Sequence, residues 1–189
     1  MGQILVPLIR TVEEAQKVVE AAKFPPVGRR GLGSPYAMER FAGPGDSTRV
    51  PSLTAYLKEA NGALLTMVQV ETAEALEAVD AIAAVPGVDV LLVGPFDLGN
   101  NIGRPIIDGV MEPELVQAID RILAATKRAG KKAGFFATSG EQAREYAAKG
   151  FDMISVALDV TLLQASLTKT VSTAKGRDAP STKGGYGAS

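Results

Sequence analysis

Apolar runs of strand length recur along the chain, at Ile4 to Ile9, Leu64 to Val70, Val88 to Val93, Ala133 to Ala137 and Met153 to Ala157. They are continuous instead of alternating with polar residues, the pattern of strands buried on both faces in a parallel sheet covered by helices. Between them the period changes to that of a helix. Thr11 with Glu14 forms a capping box for a helix presenting Val12, Ala15, Val18, Val19 and Ala22. Thr72 opens a second, with Ala73, Leu76, Val79 and Ile82. Pro113 suits a first helical position; Leu115, Ile119, Ile122 and Leu123 then share a face until Lys127, Arg128 and Gly130 close the helix. Ser139 with Gln142 makes another capping box for a helix ending at Gly150, and a last helix runs from Asp159 to near Ala174.

Strand and helix thus alternate five times, which predicts an α/β fold built as a parallel βα repeat. A closed eight-unit barrel takes about 250 residues, so the 189 residues here leave two options, an open sheet or part of a barrel. Two irregular stretches, Phe24 to Ser52 and Leu98 to Val110, are of the size that serves function or moves. Residues 1–175 read as one domain, and the Gly-, Ser- and Thr-rich stretch 176–189 as a disordered tail.

Composition narrows the chemistry. With 46% apolar residues the chain can bury a core, and a net charge of -1 gives no electrostatic case for nucleic acid or an anionic membrane. The expected partner is a small molecule or another protein chain. There is no cysteine and no histidine, which removes disulfides, thiolate ligation, the commonest general base and every Ser-His arrangement. Catalysis has to rest on carboxylates, Arg, Lys, Tyr, backbone amides or a bound metal. The opening residues lack the form of a signal peptide and no run approaches transmembrane length, so a soluble, cytoplasmic protein is expected.

Two strands run straight into a carboxylate where the chain must turn: Val68-Gln69-Val70-Glu71-Thr72 and Val93-Gly94-Pro95-Phe96-Asp97-Leu98. In a parallel sheet that end is where sites are built. Alternation puts Gln69 and Glu71 on one face, and a buried strand-end carboxylate needs a cation, a proton or a strong donor. A single acid there reads as a local cap or salt bridge; a pair on consecutive strands reads as a holder for a hard divalent ion. Gly94 lets the backbone come close, so the Phe96 and Asp97 amides can face a substrate carboxylate, although an ordinary proline turn fits the same spacing. Arg29-Arg30-Gly31-Leu32-Gly33-Ser34 is a weak anion motif because no strand leads into it, and it reads better as a solvated or oligomer-facing loop with Tyr36 and Phe41 packed nearby. Lys131 and Lys132 precede their strand, at the end opposite the acids, which disfavours an imine-forming lysine and favours Lewis-acid chemistry. An open doubly wound sheet binding a phosphorylated ligand near Gly31 to Ser34 stays as an alternative.

These stretches, together with Ile4-Leu5-Val6-Pro7-Leu8-Ile9, Lys23-Phe24-Pro25-Pro26-Val27-Gly28-Arg29-Arg30-Gly31-Leu32-Gly33-Ser34 and Val156-Ala157-Leu158-Asp159, resemble the HpcH/HpaI aldolase/citrate lyase family. Its members are metal-dependent class II aldolases that cleave 4-hydroxy-2-oxo acids to pyruvate or a related 2-oxo acid and an aldehyde. The resemblance runs from the first residue to about Ala174. It implies the second part, about five units, of a (β/α)8 TIM barrel. It implies Glu71 and Asp97 as ligands of Mg2+ or Mn2+, with Co2+ a further option, and Gln69, Glu71 and Asp97 as the catalytic set. Gly33, Ser34, Gln69, Gly94, Pro95 and Phe96 would bind substrate. Homo-oligomers that exchange their last helices are implied too, with Asp159 to Ala174 as the exchanged element. The family's first three units, with a catalytic His and an enolate-steadying Arg, have no counterpart in these residues, so water or phosphate would take the proton. A shortened gene product, a fragment or a degenerate paralogue is the expectation. The alternative is an inactive or assembly subunit that keeps metal and 2-oxo acid binding. An apolar edge left at Ile4 to Ile9 predicts self-association.

Overall fold

The computed structural model describes residues 2–33 and 51–177. Ser34, Tyr36, Phe41 and the tail from Asp178 therefore lie outside the described residues; so does most of the irregular stretch after Phe24. The elements are β1 (Gly2–Ile9), α1 (Val12–Ala22), α2 (Leu53–Ala63), β2 (Leu64–Val70), α3 (Ala73–Glu77), α4 (Val79–Ala83), β3 (Val90–Val93), α5 (Pro95–Asn101), α6 (Pro113–Arg128), β4 (Lys132–Phe136), α7 (Gly140–Lys149), β5 (Met153–Ser155) and α8 (Asp159–Ala174). The five strands form one parallel sheet in the order β1-β2-β3-β4-β5. Strands follow one another across the sheet without reversal, as in a barrel wall, so the doubly wound alternative fails: it needs the order to reverse.

The strands separate their residues by face. Val68, Val70, Leu91, Val93, Ala133 and Phe135 join the core beneath the helices, with Ala15, Val19, Val79, Ile82, Leu115, Ile119 and Ile122. Met67, Val90 and Leu92 are also buried but on the other, concave face. β2 and β3 thus carry the two-sided burial expected of them. β1 departs from it: Ile4 and Leu5 are 38% and 41% exposed, because β1 is an edge strand with a neighbour on one side only.

Local signals place the helices. The Thr11, Thr72 and Ser139 hydroxyls accept the N–H groups of Glu14, Ala75 and Gln142, and α7 ends at Gly150 in the left-handed region. Three features depart from the expectation. The helix after Thr72 is broken at Ala78 into α3 and α4. α5 occupies Pro95–Asn101, where a turn and the start of a loop were expected. α2, capped by Ser52, falls on residues to which the hydrophobic pattern assigns no element. α8 buries none of its residues: Val160, Leu162, Leu163 and Leu167 are each more than half exposed.

Candidate functional site

The sheet register assembles the site. Gln69 pairs with Leu92 and Val70 with Val93 across β2 and β3, so Glu71 and Gly94 come next on the same line. Val93 pairs with Phe135, and Phe136 with Ser155. The C-terminal ends of four strands thereby align Glu71, Gly94, Phe136 and Ser155 in one row on the concave face. A Cβ added at Gly94 would collide with Glu71 Oε2 and Gln69 Nε2. Glycine is therefore required for the carboxylate to fold over the neighbouring strand.

Glu71 is 1% exposed. Its Oε1 accepts the N–H of Leu8 at 2.9 Å and its Oε2 accepts Gln69 Nε2 at 2.5 Å. The Leu8 donor exists because the β1–β2 register slips between Val6 and Ile9 and Leu8 takes a positive φ of 56°. That conformation is costly for a leucine and characteristic of functional sites. Thr72 ties the same place together: its hydroxyl donates to Ile9 O at 3.0 Å while capping α3. Burial pushes the Glu71 carboxyl above its ordinary range; the Leu8 N–H opposes this, the nearby Asp97 charge adds to it, and Gln69 opposes it. Among the described residues no lysine or arginine forms an ion pair with Glu71.

Asp97 lies exposed in the first turn of α5, whose first residue Pro95 is buried behind the Gly94 cap. The structure thus brings together Gln69, Glu71, Gly94, Pro95, Phe96 and Asp97, all singled out from the sequence. Among the described residues a Cβ at Gly33 would meet nothing within 4 Å, so the structure does not bring Gly33 to the acids. Lys132 begins β4 at the far end of the sheet and, with Lys127, pairs with Asp152, while Lys131 donates to Val88 O. Among the described residues no group of three His, Cys, Asp or Glu converges on one point. The donor set is two carboxylates, one buried without a cation, which suits a hard ion that keeps waters and takes further oxygens from a ligand.

Sequence reasoning missed Leu8 and the inward Phe136. Pro7 before Leu8 was the available signal for an irregular strand end, since proline cannot extend the ladder. For Phe136 the signal was the Phe135-Phe136 pair, one of which must face away from the core.

Comparison with known proteins bears on the family and the fold. Residues 1–165 match the family model described as HpcH/HpaI aldolase/citrate lyase. A hydroxypyruvate/pyruvate aldolase of Chromohalobacter salexigens is 39% identical over 173 residues, covering 92% of this chain and 64% of that protein. A 2-keto-3-deoxy-L-rhamnonate aldolase of Escherichia coli is 33% identical over 184 residues, covering 97% and 65%. The crystal structure of an HpcH/HpaI aldolase/citrate lyase family protein from Burkholderia cenocepacia superposes with a TM-score of 0.75 at 33% identity, over 92% of this chain and 65% of that one. The chain spans 64–65% of the length of these curated relatives.

Proposed function

We propose that this chain, which belongs to the HpcH/HpaI aldolase/citrate lyase family, carries the oxo-acid site of a metal-dependent lyase that cleaves a 4-hydroxy-2-oxo acid to pyruvate, or a related 2-oxo acid, and an aldehyde. The observation that carries the reading is Glu71: a buried carboxylate held by two donors, its pKa pushed up first by burial and further by Asp97, with no lysine or arginine paired to it among the described residues. Glu71 and Asp97 would hold Mg2+, Mn2+ or Co2+. Such an ion, when bound, polarises the 2-oxo group and stabilises negative charge as the carbon-carbon bond breaks.

The remaining work falls to the chain's own residues. The Leu8 N–H and the Gln69 amide fix the Glu71 carboxylate in one orientation, and Gly94 leaves the space into which it folds. The start of α5 at Gly94, Pro95 and Phe96 presents the positive end of a helix to the substrate carboxylate. Gln69 borders the pocket. The chain contains no histidine, so within it the 4-hydroxyl proton would pass to water or phosphate. Residues 2–33 and 51–175 belong to this unit, read as one partial barrel.

The relatives named as aldolases support the reaction class. A second reading, a subunit that binds metal and oxo acid without turnover and serves assembly, draws on α8, whose apolar residues lie bare. In either case α8 packs on another copy as an exchanged helix. No helix among the described residues is long and apolar enough to cross a membrane, and we place the protein in the cytoplasm.

Calorimetric titration of Mn2+ followed by oxalate or pyruvate, on wild type and Glu71→Ala, tests the site. Binding by wild type and loss in the variant are expected; equal binding by both overturns the assignment. Aldol cleavage assayed with Mg2+, Mn2+ and Co2+ separates the lyase from the non-turnover subunit.

A further inference from the structure

The two residues that follow β2 grip the last two residues of β1. Glu71 Oε1 accepts the N–H of Leu8 at 2.9 Å, and the Thr72 hydroxyl donates to Ile9 O at 3.0 Å. Consecutive side chains thus hold consecutive backbone groups, and the covalent chain closes the ring on both sides. The direction of the second bond is fixed. Thr72 Oγ1 also accepts the N–H of Ala75 at 3.1 Å; that partner can only donate and Ile9 O can only accept, so the single hydroxyl proton goes to Ile9. Thr72 and Ile9 are both buried.

This ring accounts for Leu8 staying at a φ of 56°, a conformation that a leucine leaves when it can. Val6 pairs with Val68 and Ile9 with Val70, so Pro7 and Leu8 stand against Gln69 alone, as in a β-bulge. The extra residue has to be absorbed between two fixed points. Proline cannot absorb it, since its ring fixes φ, and the distortion falls on Leu8. Below the bulge the fixed point is the ladder that runs from Gly2 to Val6. Above it β1 has one paired residue, Ile9, whose carbonyl Thr72 anchors. Released there, Leu8 would return to negative φ, and the peptide that carries its N–H would turn away from Glu71.

We propose that Thr72 is a positioning residue for the ion that Glu71 and Asp97 hold: by anchoring Ile9 O it keeps the strained Leu8 N–H on the Glu71 carboxylate, which is then oriented before the ion arrives. The inference rests on the proposed metal site. Capping α3 is a second task of the same hydroxyl, and the two tasks separate by experiment. The cap acts on Ala75 and is indifferent to Leu8. The anchor is needed only because a leucine resists positive φ. Glycine adopts positive φ freely, so Leu8→Gly makes the anchor dispensable and leaves the loss of the cap as it was.

The test is calorimetry of the full chain with Mn2+, together with hydrogen exchange of the Leu8 amide followed by NMR in EDTA. Thr72→Ser, which keeps the hydroxyl, should bind Mn2+ as the wild type does. Thr72→Val should bind it about tenfold more weakly, the factor set by regaining a strained φ, and its Leu8 amide should exchange about tenfold faster. Adding Leu8→Gly to Thr72→Val should return the Mn2+ affinity to within about threefold of the wild type. Thr72→Gly, which still starts a helix at little cost, takes the place of Thr72→Val if circular dichroism shows that variant to fold poorly. Wild-type affinity without the hydroxyl, or a loss that Leu8→Gly does not restore, overturns the positioning role and leaves the metal site standing. Failure of the wild type to bind Mn2+ overturns the site and this inference with it.

Discussion

Replacing Glu71 by glutamine should stabilise the metal-free protein and abolish its ligand site. Removing a carboxylate from water costs several kcal/mol. The two hydrogen bonds it accepts, from Leu8 N–H at 2.9 Å and Gln69 Nε2 at 2.5 Å, each return about 1.5–3 kcal/mol when the acceptor is charged. These terms nearly cancel, and the sign of the remainder is set by the upward shift of the Glu71 carboxyl, driven first by burial, with the Leu8 donor opposing and Asp97 adding. A group whose pKa is raised by folding stabilises below its unfolded value, about 4.3 for glutamate, and that contribution is lost as pH rises through the folded value. At pH 7 the wild type therefore carries an unfavourable charge that Glu71→Gln removes. The gain should be about 1 kcal/mol, or roughly 2–4 °C in Tm for a chain of this size. Circular-dichroism melts in EDTA from pH 4 to 8 measure it: the variant should melt higher at pH 7, with the gap closing toward pH 4. Mn2+ should then reverse the order, because an ion bound at a hundred times its Kd stabilises the wild type alone by about 2.7 kcal/mol. A variant that melts lower at pH 7 without metal would refute the reasoning, since the Leu8 and Gln69 bonds would then outweigh burial.

Gly94→Ala forces a Cβ into Glu71 Oε2 and Gln69 Nε2; a stability loss of about 1–3 kcal/mol and loss of oxalate binding are expected in urea melts and calorimetry. Asp152 is held far below the usual carboxylate range, mainly by Lys127, with the Ala133 N–H and Lys132 contributing. Its stabilisation is present above the unfolded value, about 3.9, and is lost only as pH falls through the lower folded value. Asp152→Asn should thus cost about 1 kcal/mol, still visible in melts at pH 4. Replacing Leu162, Leu163 and Leu167 on α8 with serine should lower the mass seen in light scattering without lowering helix content, if those exposed side chains are an interface between copies.

What the sequence revealed was whatever a few neighbouring residues decide. Thr11, Thr72 and Ser139 cap helices because each hydroxyl needs only an N–H three residues on. α6 and α8 keep the expected span because Pro113 fixes one start and the apolar period carries the rest. Glu71 and Asp97 were visible for the same reason, one being an acid directly after a strand and the other an acid in the turn that follows the next strand. The break at Ala78 has no breaker residue to announce it, and α5 begins at a Gly-Pro pair that equally suits a turn. The Leu8 conformation was out of reach for a different reason. It depends on a register slip against β2 and on a donor reaching 63 positions along the chain; Pro7 marks an irregular strand end but says nothing of the distant acceptor.

The two faces of the strands explain how such a site is tolerated. Val70 precedes Glu71 and Phe135 precedes Phe136, so each chemically costly or exposed side chain follows one that is wholly buried under the helices. Burying a side chain of that kind is worth about 1.5–3 kcal/mol, comparable to what the concave face gives up in a desolvated acid and a leucine at positive φ. Because the helix-side packing fixes the backbone, the strain at Leu8 and the charge at Glu71 cannot relax by moving the strands; relief has to come from a ligand. On this argument Leu8→Gly, which removes the conformational cost while keeping the N–H, should raise Tm and leave oxalate affinity within about twofold. A large loss of affinity would mean that the leucine side chain, and not the backbone donor, is what the site requires.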